Sequence, residues 1–196
     1  MTYGAQLPGT VYFQPEFVDQ DWKRPDRAAY VAAVAQHRPR MATVLDWERD
    51  EQLPEVLGWA EDVAPFVECV IIIPKVVGGI PRLPRRIGGA DVRLGYSVPT
   101  RYGGTELPPW EFAGWPVHLL GGSPHRQIAM AHYMDVASAD GNYISLKATR
   151  FCEWWNGRWW IPLRPAQGDA PYEAFRRSCV NVLAAWRALE APTPSK

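Results

Sequence analysis

Four short apolar runs constrain the fold of this chain more than any other feature of its sequence. A run that stays apolar without alternating predicts a strand covered on both faces, as in a parallel sheet. In such sheets the ligand binds beyond the carboxyl ends of the strands. Asp46 and Asp140 occupy that position on two different runs. The four runs are Met41-Ala-Thr-Val-Leu-Asp46, Val67-Glu-Cys-Val-Ile-Ile-Ile-Pro74, Val117-His-Leu-Leu-Gly-Gly-Ser-Pro124 and Asp135-Val-Ala-Ser-Ala-Asp140.

The segments between these runs predict helices and two further strands. Apolar residues recur at helical spacing in four segments, and two more segments read as strands. The predicted helices cover residues 25–37, 53–63, 124–134 and 172–189, and the predicted strands cover 10–13 and 91–97. Asp169 is expected to cap the last helix and Pro192 to end it. Residues 143–155 favour a helix ending at Asn156-Gly157, although this pair could instead turn a hairpin between 151–155 and 158–161.

Alternating strands and helices predict an α/β fold with a mostly parallel sheet. About six strands fit either a doubly wound sheet or an incomplete (β/α) barrel, since a full eight-stranded barrel takes about 250 residues. We favour a reduced TIM-type barrel with a C-terminal helix, because barrel closure brings Asp46 and Asp140 together. Residues 1–191 are expected to form a single domain, and 192–196 a disordered tail.

Composition places this sequence among globular proteins. Of its 196 residues 47% are apolar, and no apolar run approaches the length of about 20 residues that a membrane helix needs. The amino terminus lacks the pattern of a signal peptide. Three widely spaced cysteines read as reduced thiols rather than as a zinc site. These features predict a cytoplasmic protein without membrane contact.

Charge and aromatic residues leave nucleic-acid binding open. The formal net charge is zero, which argues against a uniformly basic binder. The segment between Lys75 and Arg101 is locally basic and could nevertheless hold phosphates, although it is also typical of a solvated arginine-rich loop. Its candidate contacts are Arg82, Arg85, Arg86 and Arg101. Five of the ten tryptophans lie between residues 154 and 186; they could stack on bases, but a core that closes a small sheet is the favoured interpretation.

Two carboxylates at strand ends suit the exchange of a nucleobase on a sugar. Asp140 could attack C1′ and form a covalent glycosyl intermediate, and the following Gly141 permits close backbone approach. Asp46 could accept hydrogen bonds from the N1–H and 2-amino group of a guanine-type base. Either aspartate could instead be a turn residue. His118 reads as a core histidine, and Ser123 as a helix cap rather than a nucleophile.

Residues 41–142 resemble, in order, the catalytic half of the tRNA-guanine transglycosylase superfamily. The resemblance is to the phage and bacterial branch that inserts 7-deazaguanines into DNA. Five segments carry it: Thr43-Val-Leu-Asp46, Ile73-Pro-Lys-Val-Val-Gly-Gly79, Leu94-Gly-Tyr-Ser97, His118-Leu-Leu-Gly-Gly-Ser-Pro124 and Val136-Ala-Ser-Ala-Asp140-Gly-Asn142.

The resemblance implies a role for each matched position. It implies that Asp140 is the nucleophile and that Asp46 grips the base edge. It further implies that the base is lined by Gly78, Gly79, Gly95, Tyr96, Gly121, Gly122 and Asn142. The implied partners are DNA rather than tRNA and a free 7-deazaguanine base, with a partner subunit or a homodimer possible. No organic cofactor and no catalytic metal are implied.

Two departures from the family pattern bear on the chemistry. The zinc ligands of the tRNA enzymes, Cys-x-Cys-x-x-Cys and a histidine, are absent from this sequence. The family also carries an Asp-Ser-Gly-Gly stretch with a proton-handling aspartate on an earlier strand. The corresponding stretch here is Phe13-Gln-Pro-Glu16, which offers Gln14 or Glu16 in its place. The identity of the general acid or base is therefore left open.

These observations predict a base-exchange transglycosylase that replaces guanine in DNA with a 7-deazaguanine derivative. Its target base must leave the stack to reach a pocket at the strand ends. Two other functions remain open: a non-catalytic module on the same scaffold that binds a nucleobase or a protein partner, and a nucleoside hydrolase that uses water as the acceptor.

Overall fold

The computed structural model describes residues 15–21, 23–101, 103–163 and 169–190. The strands are β1 (Phe17–Val18), β2 (Met41–Trp47), β3 (Cys69–Pro74), β4 (Arg86–Ile87), β5 (Ala90–Ser97), β6 (Val117–Leu120), β7 (Val136–Ala139), β8 (Glu153–Trp155) and β9 (Trp160–Pro162). The helices are α1 (Arg27–His37), α2 (Leu53–Val63), α3 (Pro124–Met130), α4 (Tyr143–Phe151) and α5 (Ala170–Glu190).

Six parallel strands form a half-barrel in the order β1-β2-β3-β5-β6-β7, with helices between strands and the long α5 at the carboxyl end. Each strand pairs with the next one along the chain, apart from β4, which turns back antiparallel onto β5. A doubly wound sheet would reverse its strand order at a switch point. The order never reverses here, so the reduced-barrel prediction is confirmed.

The central strand β3 explains why the apolar runs predicted this sheet. All six of its residues are buried. Val70 and Ile72 belong to the main core beneath the helices, whereas Cys69, Ile71 and Ile73 form a second cluster on the concave face. Because successive side chains of a strand point to opposite faces, both faces of β3 must be apolar.

Helices α1 and α2 follow the predicted spacing, with small corrections at their ends. The side chain of Asp26 caps α1 by accepting a hydrogen bond of 3.0 Å from the amide of Ala29. Pro25 therefore precedes the cap instead of lying in the first turn as predicted. Helix α3 ends at Met130, four residues before its predicted end.

The region after β7 combines the two predicted alternatives. Helix α4 ends at Phe151, and Cys152 adopts the left-handed conformation with φ 50°. The hairpin β8–β9 then turns at Asn156-Gly157, so the prediction of one helix as far as residue 155 is wrong. Helix α5 packs on β8, where the amide of Trp155 donates to the buried Oγ of Ser178 at 2.9 Å.

Two predictions fall outside the part of the chain that the structure describes: the strand at 10–13 and the tail at 192–196. Within the described residues, no helix combines the length and the apolar character needed to cross a membrane.

Candidate active site

Three aspartates lie at the carboxyl ends of parallel strands. Asp46 is the penultimate residue of β2, Asp140 directly follows β7, and Asp19 directly follows β1. The negative charges of Asp140 and Asp46 both act on the Asp19 carboxyl and raise its pKa. Both predicted aspartates therefore lie within electrostatic range of a third, Asp19, which the sequence interpretation missed.

Asp19 is set up to hold a proton. Its pKa is raised above the ordinary value of 3.8, chiefly because protein atoms around the concave face replace part of its water. The hydrogen bond from Thr43 acts in the opposite direction, and the charges of Asp140 and Asp46 raise the pKa further. The side chain still reaches the surface.

A buried threonine fixes the position of Asp19. The hydroxyl of Thr43, in the interior of β2, donates to Oδ1 of Asp19 at 2.6 Å. The same hydroxyl oxygen accepts a hydrogen bond of 3.0 Å from the amide of Gln20. The end of β1 is thereby joined to β2 beyond the last backbone pair of the two strands.

Asp140 is held through a single oxygen. Its Oδ1 lies 3.3 Å from the amide nitrogen of Gly121 and 3.3 Å from Nε2 of His118. About a third of its side chain is exposed (34%), whereas His118 is almost fully buried (1%). Asp140 thus combines a stabilised carboxylate with access from solvent.

A chain of hydrogen bonds beneath Asp140 orients His118. Nη1 of Arg93 donates to Oγ of Ser138 at 2.6 Å, and this Oγ lies 2.6 Å from Nδ1 of His118. The Ser138 hydroxyl is assigned as the donor to Nδ1, because the other acceptor in reach, Sδ of Met41 at 3.8 Å, is weaker; Nε2–H then faces Asp140. The ring of Phe17 stacks on His118 with centroids 4.8 Å apart.

Asp46 is paired with a lysine from the end of the next strand. Nζ of Lys75 lies 2.6 Å from Oδ2 of Asp46 and 3.0 Å from a carboxylate oxygen of Glu48. Burial acts to lower the pKa of Lys75, but the hydrogen bonds and charges of Asp46 and Glu48 outweigh it, so this pKa is raised. Lys75 therefore stays charged and holds the Asp46 side chain in place.

The loops after β6 and β7 are joined by one buried glutamine. Nε2 of Gln127 donates to the carbonyl of Gly121 at 2.9 Å and to the carbonyl of Asp140 at 2.6 Å. Gly121 has φ 67°, a backbone conformation that favours glycine. Gln127 thus sets the spacing between the amide that binds Asp140 and Asp140 itself.

Three of the other residues predicted to line the base lie on β5 or shortly after β6. Gly95 lies on the concave face beside His118 in the register of β5 and β6, and Gly122 lies next to Gly121. The ring of Tyr96 instead packs edge-on against Phe112 in the core under the helices, and the structure does not bring it to the aspartates.

Three further predicted positions lie in loops. Gly78 donates its amide to Glu111 at 3.0 Å. Gly79 packs against the Trp47 ring, which a Cβ at this position would meet at 2.6 Å. Asn142 is exposed at the start of α4.

The structure does not gather the four predicted phosphate-binding arginines into one rim. Arg82 forms an ion pair with Asp50, and Arg101 follows the carboxyl end of β5. Arg86 pairs with Asp91 at 3.3 Å, near the amino end of β5. Arg85 stacks 3.5 Å from the ring centroid of Trp115, the residue shortly before β6 begins. Arg85 and Arg86 thus lie toward the amino ends of the strands, away from the aspartates.

Glu16, one of the two residues offered for the family's proton-handling position, does not lie with the three aspartates. The carbonyl of Glu16 accepts from the amide of Met41 at the amino end of β2, so Glu16 lies at the opposite end of the sheet from Asp46. Gln14 lies outside the described residues. The signal for Asp19 was present as Phe17-Val18-Asp19, an apolar pair followed by aspartate, but a run of two residues is too short to predict a strand.

No arrangement of three His, Cys, Asp or Glu side chains that could hold a metal ion occurs within the described ranges. Two surface depressions, of about 480 and 650 Å³, lie along α1 and at the amino ends of β2 and β3. Neither is lined by one of the three aspartates. The candidate site therefore lies in neither of these two depressions.

Comparison with known proteins gives a family but no activity. One family model matches residues 6–187, and its description is a family of unknown function. No curated protein and no solved structure matches the chain.

Proposed function

We propose a function for this chain, which belongs to DUF6610, a family of unknown function: it exchanges guanine in DNA for a 7-deazaguanine base. The observation that carries the proposal is the meeting of Asp19, Asp46 and Asp140 at the ends of three strands, with Asp140 and Asp46 both raising the pKa of Asp19. Groups whose environments push their pKa values apart suit separate roles in acid–base chemistry.

In this proposal Asp140 is the nucleophile. Its carboxylate attacks C1′ of the target nucleotide as the bond from C1′ to the base nitrogen breaks, and the electron pair of that bond leaves with the guanine. The Gly121 amide and His118 hold Oδ1 of Asp140, which orients the other oxygen for attack. The product of this step is a covalent glycosyl ester.

Asp19 handles the proton that the exchange requires. Its raised pKa favours a protonated carboxyl, which donates to the departing guanine. The ionised Asp19 then takes the proton from the ring nitrogen of the incoming deazaguanine, which attacks C1′ and releases Asp140. The cycle returns both carboxyl groups to their starting states.

Asp46 selects the base. A carboxylate accepts two hydrogen bonds from the N1–H and 2-amino group that guanine and 7-deazaguanine share. Lys75 holds that carboxylate in position through Oδ2. A base without these donors would leave a partly buried carboxylate unpaired, which disfavours its binding.

The proposal is tested by incubating the protein with guanine-containing DNA and labelled 7-deazaguanine and counting label in the DNA. We expect incorporation by the unmodified protein and a loss of about 10³-fold or more in Asp140→Asn. The matched control is Asp135→Asn, which changes an exposed aspartate just before the same strand and should leave incorporation unchanged.

Two outcomes would contradict the proposal. Full incorporation by Asp140→Asn would reject the assigned nucleophile. Release of guanine without incorporation of the labelled base would show hydrolysis in place of exchange.

A further inference from the structure

We propose that the turn at residues 156–159, at the tip of the β8–β9 hairpin, is a platform on which an unpaired base of the DNA strand stacks beside the target nucleotide. The choice of DNA as the ligand rests on the proposed function. The location of the platform rests on the contacts of Trp159, Arg158, Asn156 and His125.

The tryptophans near the carboxyl end differ sharply in exposure. Trp155 is 1% exposed and closes the core between the hairpin and α5, as the favoured interpretation of this cluster expected. Trp159, four residues later, is 62% exposed. Its open ring face provides the surface on which a base of any sequence can stack.

A positively charged side chain lies beside the Trp159 ring. The guanidinium of Arg158 lies 5.3 Å from the centroid of the Trp159 ring. Within the described part of the chain no carboxylate pairs with Arg158. Arg82 and Arg86, by contrast, are neutralised by Asp50 and Asp91. Phosphates of a strand that stacks on Trp159 would find positive charge that is not already paired.

The turn is rigid before any ligand arrives. Oδ1 of Asn156 accepts hydrogen bonds from the amides of Arg158 at 2.9 Å and Trp159 at 2.7 Å, and the Asn156 amide donates to the carbonyl of Trp159 at 3.0 Å. Gly157, with φ 100°, permits this conformation. Less conformational entropy is lost when a base stacks on a platform that is already ordered.

Direct contacts connect the turn to α3, the helix that follows the loop holding Asp140. Nε2 of His125 hydrogen-bonds the carbonyl of Arg158, and the His125 ring meets Trp155 edge-on with centroids 5.3 Å apart. His125 is the second residue of α3 and lies four residues after Gly121, whose amide binds Asp140. The platform is thereby fixed to the loop that positions the proposed nucleophile.

The inference is tested by the fluorescence anisotropy of a labelled single-stranded DNA of about twelve nucleotides. We expect Trp159→Ala to weaken binding about ten-fold, which corresponds to the loss of one stacked base. Trp159→Phe keeps an aromatic face and should retain most of the affinity. Tyr172→Ala removes an aromatic side chain on α5 that is similarly exposed and should bind as the unmodified protein does.

The outcomes separate this inference from the proposed function. If Trp159→Ala binds DNA as tightly as the unmodified protein, the platform is rejected, whatever the result of the incorporation assay. If Trp159→Ala loses affinity while the unmodified protein incorporates no labelled base, the platform stands and the exchange activity is rejected. Because Trp159 is exposed, all three variants should unfold at the same temperature as the parent protein, which circular dichroism checks.

Discussion

The three aspartates of the candidate site carry the same chemical group in three different environments. Asp19 lies in the concavity near two other negative charges, Asp46 is paired with Lys75, and Asp140 is held by a histidine and a backbone amide. Residue type alone would assign all three the same behaviour. The different neighbours of each carboxyl group are what the proposed function uses to give the three aspartates separate roles.

Replacement of Asp19 by asparagine should stabilise the protein at neutral pH. Because the pKa of Asp19 is raised from 3.8, the folded protein binds this proton more tightly than the unfolded chain does. The contribution of Asp19 to the free energy of unfolding therefore falls as the pH rises from the pKa of the unfolded chain to the raised pKa of the folded protein. At higher pH this contribution stays low. The asparagine side chain would keep an Oδ1 acceptor for Thr43 without the charge.

Thermal unfolding at two pH values tests this prediction. We expect Asp19→Asn to melt above the parent protein at about pH 7 and to match it at about pH 3, where the parent carboxyl is protonated in both states. A lower melting temperature for the variant at neutral pH would show that the ionised carboxylate is stabilising and that its pKa is not raised.

Loss of the Ser138 hydroxyl should misorient His118. Ser138→Ala leaves the buried Nδ1 of His118 without its donor and Nη1 of Arg93 with only the weak acceptor Sδ of Met41, which costs about 1 to 3 kcal/mol of unfolding free energy. We also expect a lower kcat for base exchange and an altered pH profile, because the ring can then adopt the other tautomer.

Ser138→Thr serves as the conservative control for that prediction. It restores a hydroxyl at the same position and should recover both the kcat and the pH profile. An unaltered pH profile in Ser138→Ala would limit Ser138 to a structural role.

At the scale of secondary structure elements, the concave face of the sheet is shaped by one residue that lacks a side chain. A Cβ on Gly95 of β5 would lie 2.6 Å from Cγ1 of Ile73 and 3.0 Å from both Ile71 Cγ2 and Leu120 Cδ1. The concave-face side chains of β3 and β6 can therefore pack closely over Gly95 of β5. The same position is one that the family resemblance assigned to base contact.

Gly95→Ala should destabilise the protein by about 1 to 3 kcal/mol, because the extra carbon overpacks strands that cannot easily move apart. Chemical denaturation measures this loss. Gly58→Ala provides the control: its Cβ in α2 would approach only the flexible end of Arg27, at 3.3 Å, and no comparable loss is expected. Equal stability of the two variants would contradict the tight packing of the concave face.

At the scale of the whole molecule, the half-barrel has a protected centre and an open edge. All residues of β3 are buried, whereas Ala137 and Ala139 of the edge strand β7 are exposed. Side chains of β2 and β7 nevertheless approach each other across the concavity, with Oγ of Ser138 3.8 Å from Sδ of Met41. The curl of the sheet brings Asp140 near strands that are distant in the hydrogen-bonding order.

Amide hydrogen exchange should reproduce this gradient. We expect the amides of β3 and β5 to exchange only through global unfolding, and those of β7 to exchange faster through local opening of the edge. Equally slow exchange in β7 and β3 would indicate that another surface, such as a second copy of the chain, covers the edge.

The fold class followed from local pattern, because burial on both faces demands unbroken apolar runs and short connections then leave few topologies. The runs at residues 41–46 and 117–120 became strands with nearly the predicted ends. The sequence pattern did not determine the secondary structure of residues 143–163, because a helix and a hairpin are both compatible with it. Packing of the Trp155 region against α5 decided where the helix ends.

The sequence by itself determined a parallel α/β sheet and placed Asp46 and Asp140 at its carboxyl ends, since the position of a residue on a strand is a local property. Only the tertiary structure decided that Asp19 joins them, that Tyr96 faces the core, and that Arg85 and Arg86 lie toward the other end of the sheet. Those outcomes depend on curl and register between strands far apart in the chain, which no short stretch of sequence encodes.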